Sequence, residues 1–188
     1  MKRTEKALYT KLDKESYKLL KKYSGDFYEI LTKINIPINR YRFRVRRDGY
    51  EKLRSATFGK ILAFGSSKNP DFENVQRFEI SRHSKALPEL DKLLFEFGKK
   101  ITGKKFTSCC VNDSYPMSRH KDGNNVGTSF IVGLGTYKGG ELRIYKKGKN
   151  DGYEDVDIRS GVYFNGFENY HEVLPFTGRR YSIIYYNC

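Results

Sequence analysis

"FNGFENYHEVLPFTGRRYSIIYY", residues 164–186, decides the fold. Its last eight residues, Arg179 to Tyr186, are rich in aromatic and β-branched side chains and read as a strand. "HEVLPF" (171–176) reads as the strand before it. Working back, the same texture recurs in "GVYFNG" (161–166), "EDVDIR" (154–159), "GELRIYKK" (140–147), "TSFIVGLG" (128–135) and "FTSCCVN" (106–112). Gly, Asn and Asp separate these short segments. Seven strands at turn-limited spacing argue for a sandwich or barrel over βαβ units.

The first half differs. From residue 10 to about 33, Leu12, Leu19, Leu20, Tyr23, Phe27, Ile30 and Leu31 fall at helical spacing, interrupted at Ser24-Gly25. "LPELDKLLFEFGKKI" (87–101) reads as a helix with Pro88 in its first turn and Leu90, Leu93, Leu94 and Phe97 as its apolar stripe. "INRYRFRVRR" (38–47) alternates as a strand, with Arg40, Arg42, Arg44 and Arg46 on one face. That stripe suits a phosphate backbone, and equally an edge strand guarded by charge. The expectation is one α+β, mainly β domain over 1–188. Residues 1–105 form a helical and β support, and 106–188 form a jelly-roll core.

A chain of 188 residues can bury a core without disulfides. Lys and Arg number 36 against 22 acidic residues, a formal charge of +14 that favours polyanionic partners, nucleic acid first. Cys109, Cys110 and Cys188 are odd in number, two are adjacent, and none forms a CxxC pair, so free thiols in a reducing compartment are expected. No run of about 18 apolar residues occurs. A soluble intracellular protein of the cytoplasm or nucleus is expected, with no membrane and no obligate protein partner; a virus-infected host cell is compatible with the same reading.

The chemistry centres on "SRHKDGNNVG" (118–127). Taken alone, His120-Lys121-Asp122 is an ordinary polar turn. His171, 49 positions beyond Asp122, changes that reading, as does Arg180-Tyr181-Ser182 after it. Two imidazoles and one carboxylate on one face of a metal leave three coordination positions open, the pattern of non-haem Fe(II) oxygenases. A bidentate 2-oxo acid and dioxygen fill such positions. The acid's remote carboxylate needs a fixed cation, and the forked guanidinium of Arg180 matches it. Ser182 shares that face of the strand, because residues two apart point the same way, whereas Arg179 points to the other side.

Residues 108–188 thus resemble the catalytic core of the Fe(II)/2-oxoglutarate-dependent dioxygenases, with their HxD…H…RxS signature on a double-stranded β-helix. "HKDGNNVGTSFIVGLGTYKGGEL" is most similar to the Tet/JBP-type branch, including short viral and phage-like members, which oxidise the 5-methyl group of pyrimidines in nucleic acid. The resemblance implies Fe(II) held by His120, Asp122 and His171, with 2-oxoglutarate and O2 as cosubstrates. It also implies that Arg180, Ser182, Asn112 and Tyr115 bind 2-oxoglutarate, and that Asn125, with Asn124, contacts a flipped base. The animal Tet enzymes' cysteine-rich zinc region is not present in this sequence, nor is a separate DNA-binding domain like that of JBP.

Other readings stand beside these. Asn112 and Tyr115 also suit a turn before Pro116, and Asn124-Asn125 suits a loop needing left-handed backbone. His83 reads as a surface-loop histidine, Glu172 faces away from His171, and the glycines at 133–140 read as strand ends and turns. A prolyl or lysyl protein hydroxylase is the alternative enzyme, and a non-catalytic nucleic-acid-binding jelly roll the alternative class.

Overall fold

The computed structural model describes residues 7–39, 54–62, 78–123, 125–146 and 152–188. The arginine stripe from Arg40 onward and Asn124 lie outside the described residues.

Asp13 starts the first helix by accepting a hydrogen bond from the Ser16 amide at 2.8 Å, capping an otherwise orphaned donor. The helix α1 (Lys14–Thr32) then runs without a break. The expected interruption at Ser24-Gly25 does not occur: Gly25 costs helix stability, yet the apolar face of Leu20, Phe27 and Leu31 is buried on both sides of it. A second long helix, α3 (Pro88–Thr102), starts at a proline and ends at Gly103 with φ 68°, a left-handed cap. Between them in the chain lies the short α2 (Arg82–Ala86).

The strands are β1 (Tyr9–Lys11), β2 (Arg54–Leu62), β3 (Phe78–Ile80), β4 (Ser108–Asp113), β5 (Val126–Gly139), β6 (Leu142–Tyr145), β7 (Tyr153–Val156), β8 (Val162–Phe164), β9 (His171–Val173) and β10 (Phe176–Asn187). Seven of them pair in the order β1-β8-β5-β10-β4-β2-β3, and three in the order β7-β6-β9. The two sheets face each other as a double-stranded β-helix with N-terminal helices on the outside, the architecture expected from the sequence.

Alternation along the central strands produces two different cores. Val111, Phe130, Val132, Ile183 and Tyr185 point outward and pack with Leu31, Leu94 and Phe97 of the helices. Phe27 and Phe97 stack at 4.3 Å where α1 meets α3. Two buried tyrosines tie sheet to helix: Tyr181 Oη donates to the Leu31 carbonyl at 3.2 Å and Tyr185 Oη to that of Leu94 at 2.8 Å. Gly98 lets the Tyr185 ring lie directly on α3, since a Cβ there would come within 2.6 Å of it. Inward, Ile131, Leu142, Ile144, Val156, Ile158, Val162 and Phe164 fill the space between the sheets.

Candidate metal and cosubstrate site

Residues 117–120 run antiparallel to β9. His120 and His171 exchange two backbone hydrogen bonds of 2.9 Å, and the Val173 amide donates to Met117 at 3.0 Å. This pairing places the two imidazoles side by side, ring centroids 4.3 Å apart. The Asp122 amide donates to the Gly166 carbonyl at 3.0 Å, which brings the carboxylate in beside them. Asp122 Oδ1 then lies 3.9 Å from His120 Nε2 and 3.8 Å from His171 Nε2.

The rings are oriented for metal. His120 Nδ1 lies 2.7 Å from the Ser118 carbonyl and His171 Nδ1 lies 3.1 Å from that of Asn169. A carbonyl only accepts, so each Nδ1 carries the proton and each Nε2 presents a lone pair. The three ligand atoms lie within 4.8 Å of one another, a spacing one ion can bridge. Two neutral imidazoles and a carboxylate are the donor set that suits non-haem Fe(II).

The triad lines a cavity of about 150 Å³ between the sheets, together with Asn112, Asn125 and Ser182 among others. Asn112 on β4 and Ser182 on β10 are register partners, and Asn112 Nδ2 donates to Ser182 Oγ at 3.2 Å. Ile131, Leu142, Phe164 and Val173 supply its apolar wall. Tyr115 is 2% exposed and packs with Met117, Val173 and Phe176 next to it.

Arg180 and its neighbour separate as strand parity requires. Arg180 is 1% exposed, whereas the Arg179 side chain is 47% exposed and bonds Asp113 at 3.2 Å. The Arg180 guanidinium sits over the rings of Tyr137 (5.5 Å) and Phe176 (5.3 Å). Burial lowers its pKa, with Tyr137, Asp157 and Glu141 pulling the other way. Its Nε and Nη2 have no hydrogen-bond partner among the described residues, nor has the Tyr137 hydroxyl beside it. Burial raises the Tyr137 pKa, keeping that hydroxyl protonated as a donor. A buried cation with idle donors is costly unless an anion completes it. A carboxylate has the right charge and fork spacing. The residues present therefore fit both the metal and a dicarboxylate cosubstrate.

Tyr137 was not foreseen from the sequence, because Gly133 and Gly135 read as a strand end. In fact β5 continues through Gly135 (φ 119°) to Gly139, putting Tyr137 on the inner face opposite Gly178. Gly133 is the space that accepts it: a Cβ there would approach Tyr137 Oη to 2.3 Å. Gly166 was missed too, and a Cβ on it would reach Asp122 Oδ2 at 2.3 Å. His83 corrects another expectation. It belongs to α2 and not to a surface loop, its Nδ1 lies 3.3 Å from the Thr57 amide, and burial lowers its pKa. Glu172 does face away from His171, meeting the Tyr145 hydroxyl instead.

No family model matches the sequence, and no curated protein does either. Solved structures match in fold. The structure of NgTET1 in complex with 5mC DNA aligns with TM-score 0.54 at 15% identity, over 95% of this chain and 70% of that one. A 2OG-Fe(II) oxygenase family oxidoreductase from Burkholderia pseudomallei gives 0.52 at 14% identity, over 99% and 93%. OsALKBH1 gives 0.51 at 14% identity, over 98% and 100%. The chain has the fold of the 2OG-Fe(II) oxygenases.

Proposed function

We propose that the protein is an Fe(II)- and 2-oxoglutarate-dependent dioxygenase that hydroxylates the 5-methyl group of a pyrimidine, 5-methylcytosine or thymine, in nucleic acid. The observation that carries the enzyme class is the buried Arg180, whose Nε and Nη2 have no hydrogen-bond partner among the described residues. It shares a face of β10 with Ser182, two residues on, and Ser182 lines the His120–Asp122–His171 cavity. When bound, iron, 2-oxoglutarate and dioxygen supply the oxidising chemistry, which converts the cosubstrate to succinate and CO2 and puts an oxygen atom into a C–H bond.

The chain's own part is to hold and to exclude. His120, Asp122 and His171 hold the iron. Arg180 grips the remote carboxylate, and Tyr137 adds a hydroxyl donor. Ser182 Oγ accepts from Asn112 Nδ2, so its hydroxyl hydrogen would be available to donate to the same carboxylate. Ile131, Leu142 and Phe164 keep water from the reacting centre.

The nucleic-acid reading rests on charge and on exposed aromatic rings. Phe167 (53% exposed) and Tyr170 (46% exposed) lie in the segment that leads into His171. Lys121 and Arg119 stand over the Tyr170 ring at 4.8 and 5.0 Å. Exposed rings beside cations suit an unpaired base and its phosphate. The fold of NgTET1, solved with 5mC DNA, supports the same choice. The alternative, a prolyl hydroxylase, draws on a fold likeness (TM-score 0.50, 14% identity) to such an enzyme from Trichoplax adhaerens solved with a peptide fragment.

Succinate release in the presence of Fe(II) and 2-oxoglutarate, measured across methylated DNA, methylated RNA and peptide panels, tests the proposal. Turnover stimulated by a methylpyrimidine oligonucleotide is the expected result. Stimulation by peptides alone transfers the protein to the hydroxylase class, and absence of 2-oxoglutarate binding defeats the enzyme reading.

A further inference from the structure

The two oxygens of Asp122 have different surroundings. Oδ1 faces both histidine Nε2 atoms, at 3.9 and 3.8 Å. Oδ2 accepts a 2.8 Å hydrogen bond from Asn125 Nδ2 and lies against Gly166, where even a methyl group would collide with it at 2.3 Å. Asn125 is itself held, since Nδ2 also lies 3.1 Å from Oγ of Ser129, the fourth residue of β5 and the first buried one. Ser129 is 0% exposed and Asn125 9% exposed.

The geometry points to Asn125 as a positioning residue that keeps Asp122 a one-oxygen metal ligand. The inference rests on the dioxygenase reading above and extends it. A carboxylate free to rotate can bind a metal through both oxygens. That second bond would occupy a coordination position which a 2-oxo acid and dioxygen require. Asn125 prevents it by engaging Oδ2 from one side, while the Gly166 backbone closes the other. Outer-shell hydrogen bonds of this sort orient metal ligands, and their loss costs about 10- to 100-fold in metal affinity or activity.

This assignment changes what Asn125 offers a substrate. Both amide hydrogens are directed at Asp122 and Ser129, so only the carbonyl oxygen remains for a base. It can accept from the exocyclic amine of a cytosine or the ring N–H of a thymine, and cannot donate to either. The resemblance-based role in base contact and the positioning role therefore use different atoms of one side chain.

The test needs no nucleic acid. Purified wild-type protein and Asn125→Ala are loaded anaerobically with Co(II) as a spectroscopic probe and then titrated with 2-oxoglutarate. The position and intensity of the d–d bands, which report the number and geometry of the ligands, should differ between the two before 2-oxoglutarate is added. The variant should bind 2-oxoglutarate about 10-fold or more weakly, with Arg180 untouched. Asn125→Gln, which keeps the amide, should recover part of the wild-type spectrum, and Ser129→Ala should give an intermediate one. Circular dichroism of the metal-free variants identifies any that fail to fold, in which case the Ser129→Ala and Asn125→Gln spectra decide. Identical spectra and identical 2-oxoglutarate affinity in Asn125→Ala would overturn the inference and leave base contact as the residue's role. Wild-type protein that binds neither metal nor 2-oxoglutarate would instead defeat the dioxygenase reading itself.

Discussion

The two faces of β10 share one backbone and carry opposite tasks. Tyr181, Ile183 and Tyr185 lie in the helix-side core, each 0% exposed, with the two tyrosine hydroxyls bonded to helix carbonyls. Arg180 and Ser182 are as deeply buried, at 1% and 3%, yet Arg180 keeps two donors idle. Burial alone does not separate structure from function here; satisfaction does. The two outer-face tyrosines spend their hydroxyls on the fold, whereas Arg180 on the inner face keeps Nε and Nη2 without partners among the described residues, as the proposed carboxylate ligand requires.

Four sets of variants separate the two faces of β10. His120→Ala, Asp122→Ala and His171→Ala should each abolish stoichiometric Fe(II) binding while circular dichroism stays native; retained iron in all three would dissolve the inner-face reading. On the outer side, Leu94→Ala removes a 0% exposed side chain and should destabilise by about 2–5 kcal/mol in urea unfolding. Its 2-oxoglutarate affinity, measured well below the transition, should not change.

Arg180→Ala should weaken 2-oxoglutarate by about 30- to 150-fold, from a charge-assisted contact of about 2–3 kcal/mol. Arg180→Lys should recover only part, because one ammonium cannot reproduce the fork, and Arg179→Ala should leave the constant near wild type. Removing a buried cation whose Nε and Nη2 lack hydrogen-bond partners should not harm the empty protein: Arg180→Met should match or exceed the wild-type melting temperature without ligand and lose the stabilisation that 2-oxoglutarate confers. A large fall in the empty melting temperature would make Arg180 a structural residue. The smallest effect is Tyr185→Phe, which should cost about 1 kcal/mol of stability with cosubstrate binding unchanged.

Much of this was legible. The late strands announced themselves through dense β-branched and aromatic residues, and the parity of Arg179 and Arg180 followed from the pleat alone. The triad was legible because its residue types are rare in the chain: only three histidines occur, and two of them are in it. What escaped were positions where glycine disguises a strand. β2 carries Gly59 (φ 76°), and β5 runs through Gly133 and Gly135, so Tyr137 sat beyond the expected end. A hydrogen bond such as Asn125 to Asp122 leaves no periodic trace, and a glycine needed only for its missing Cβ, like Gly166, resembles any turn glycine.

The sheet order bears on whether the site can be inherited piecemeal. β4 is flanked by β2, and β8 by β1, although both neighbours come from the first third of the chain. Cutting just before Phe106 keeps every proposed ligand and strips partners from two strands, one of which carries Phe164 against His171 with ring centroids 5.0 Å apart. The same cut uncovers Val111, Val132 and Ile183, which the helices shield. Raw edges beside bare apolar surface favour intermolecular pairing. The motif-bearing half is therefore not portable: grafted elsewhere by recombination or by an engineer, it would bring the metal ligands and aggregate before it used them.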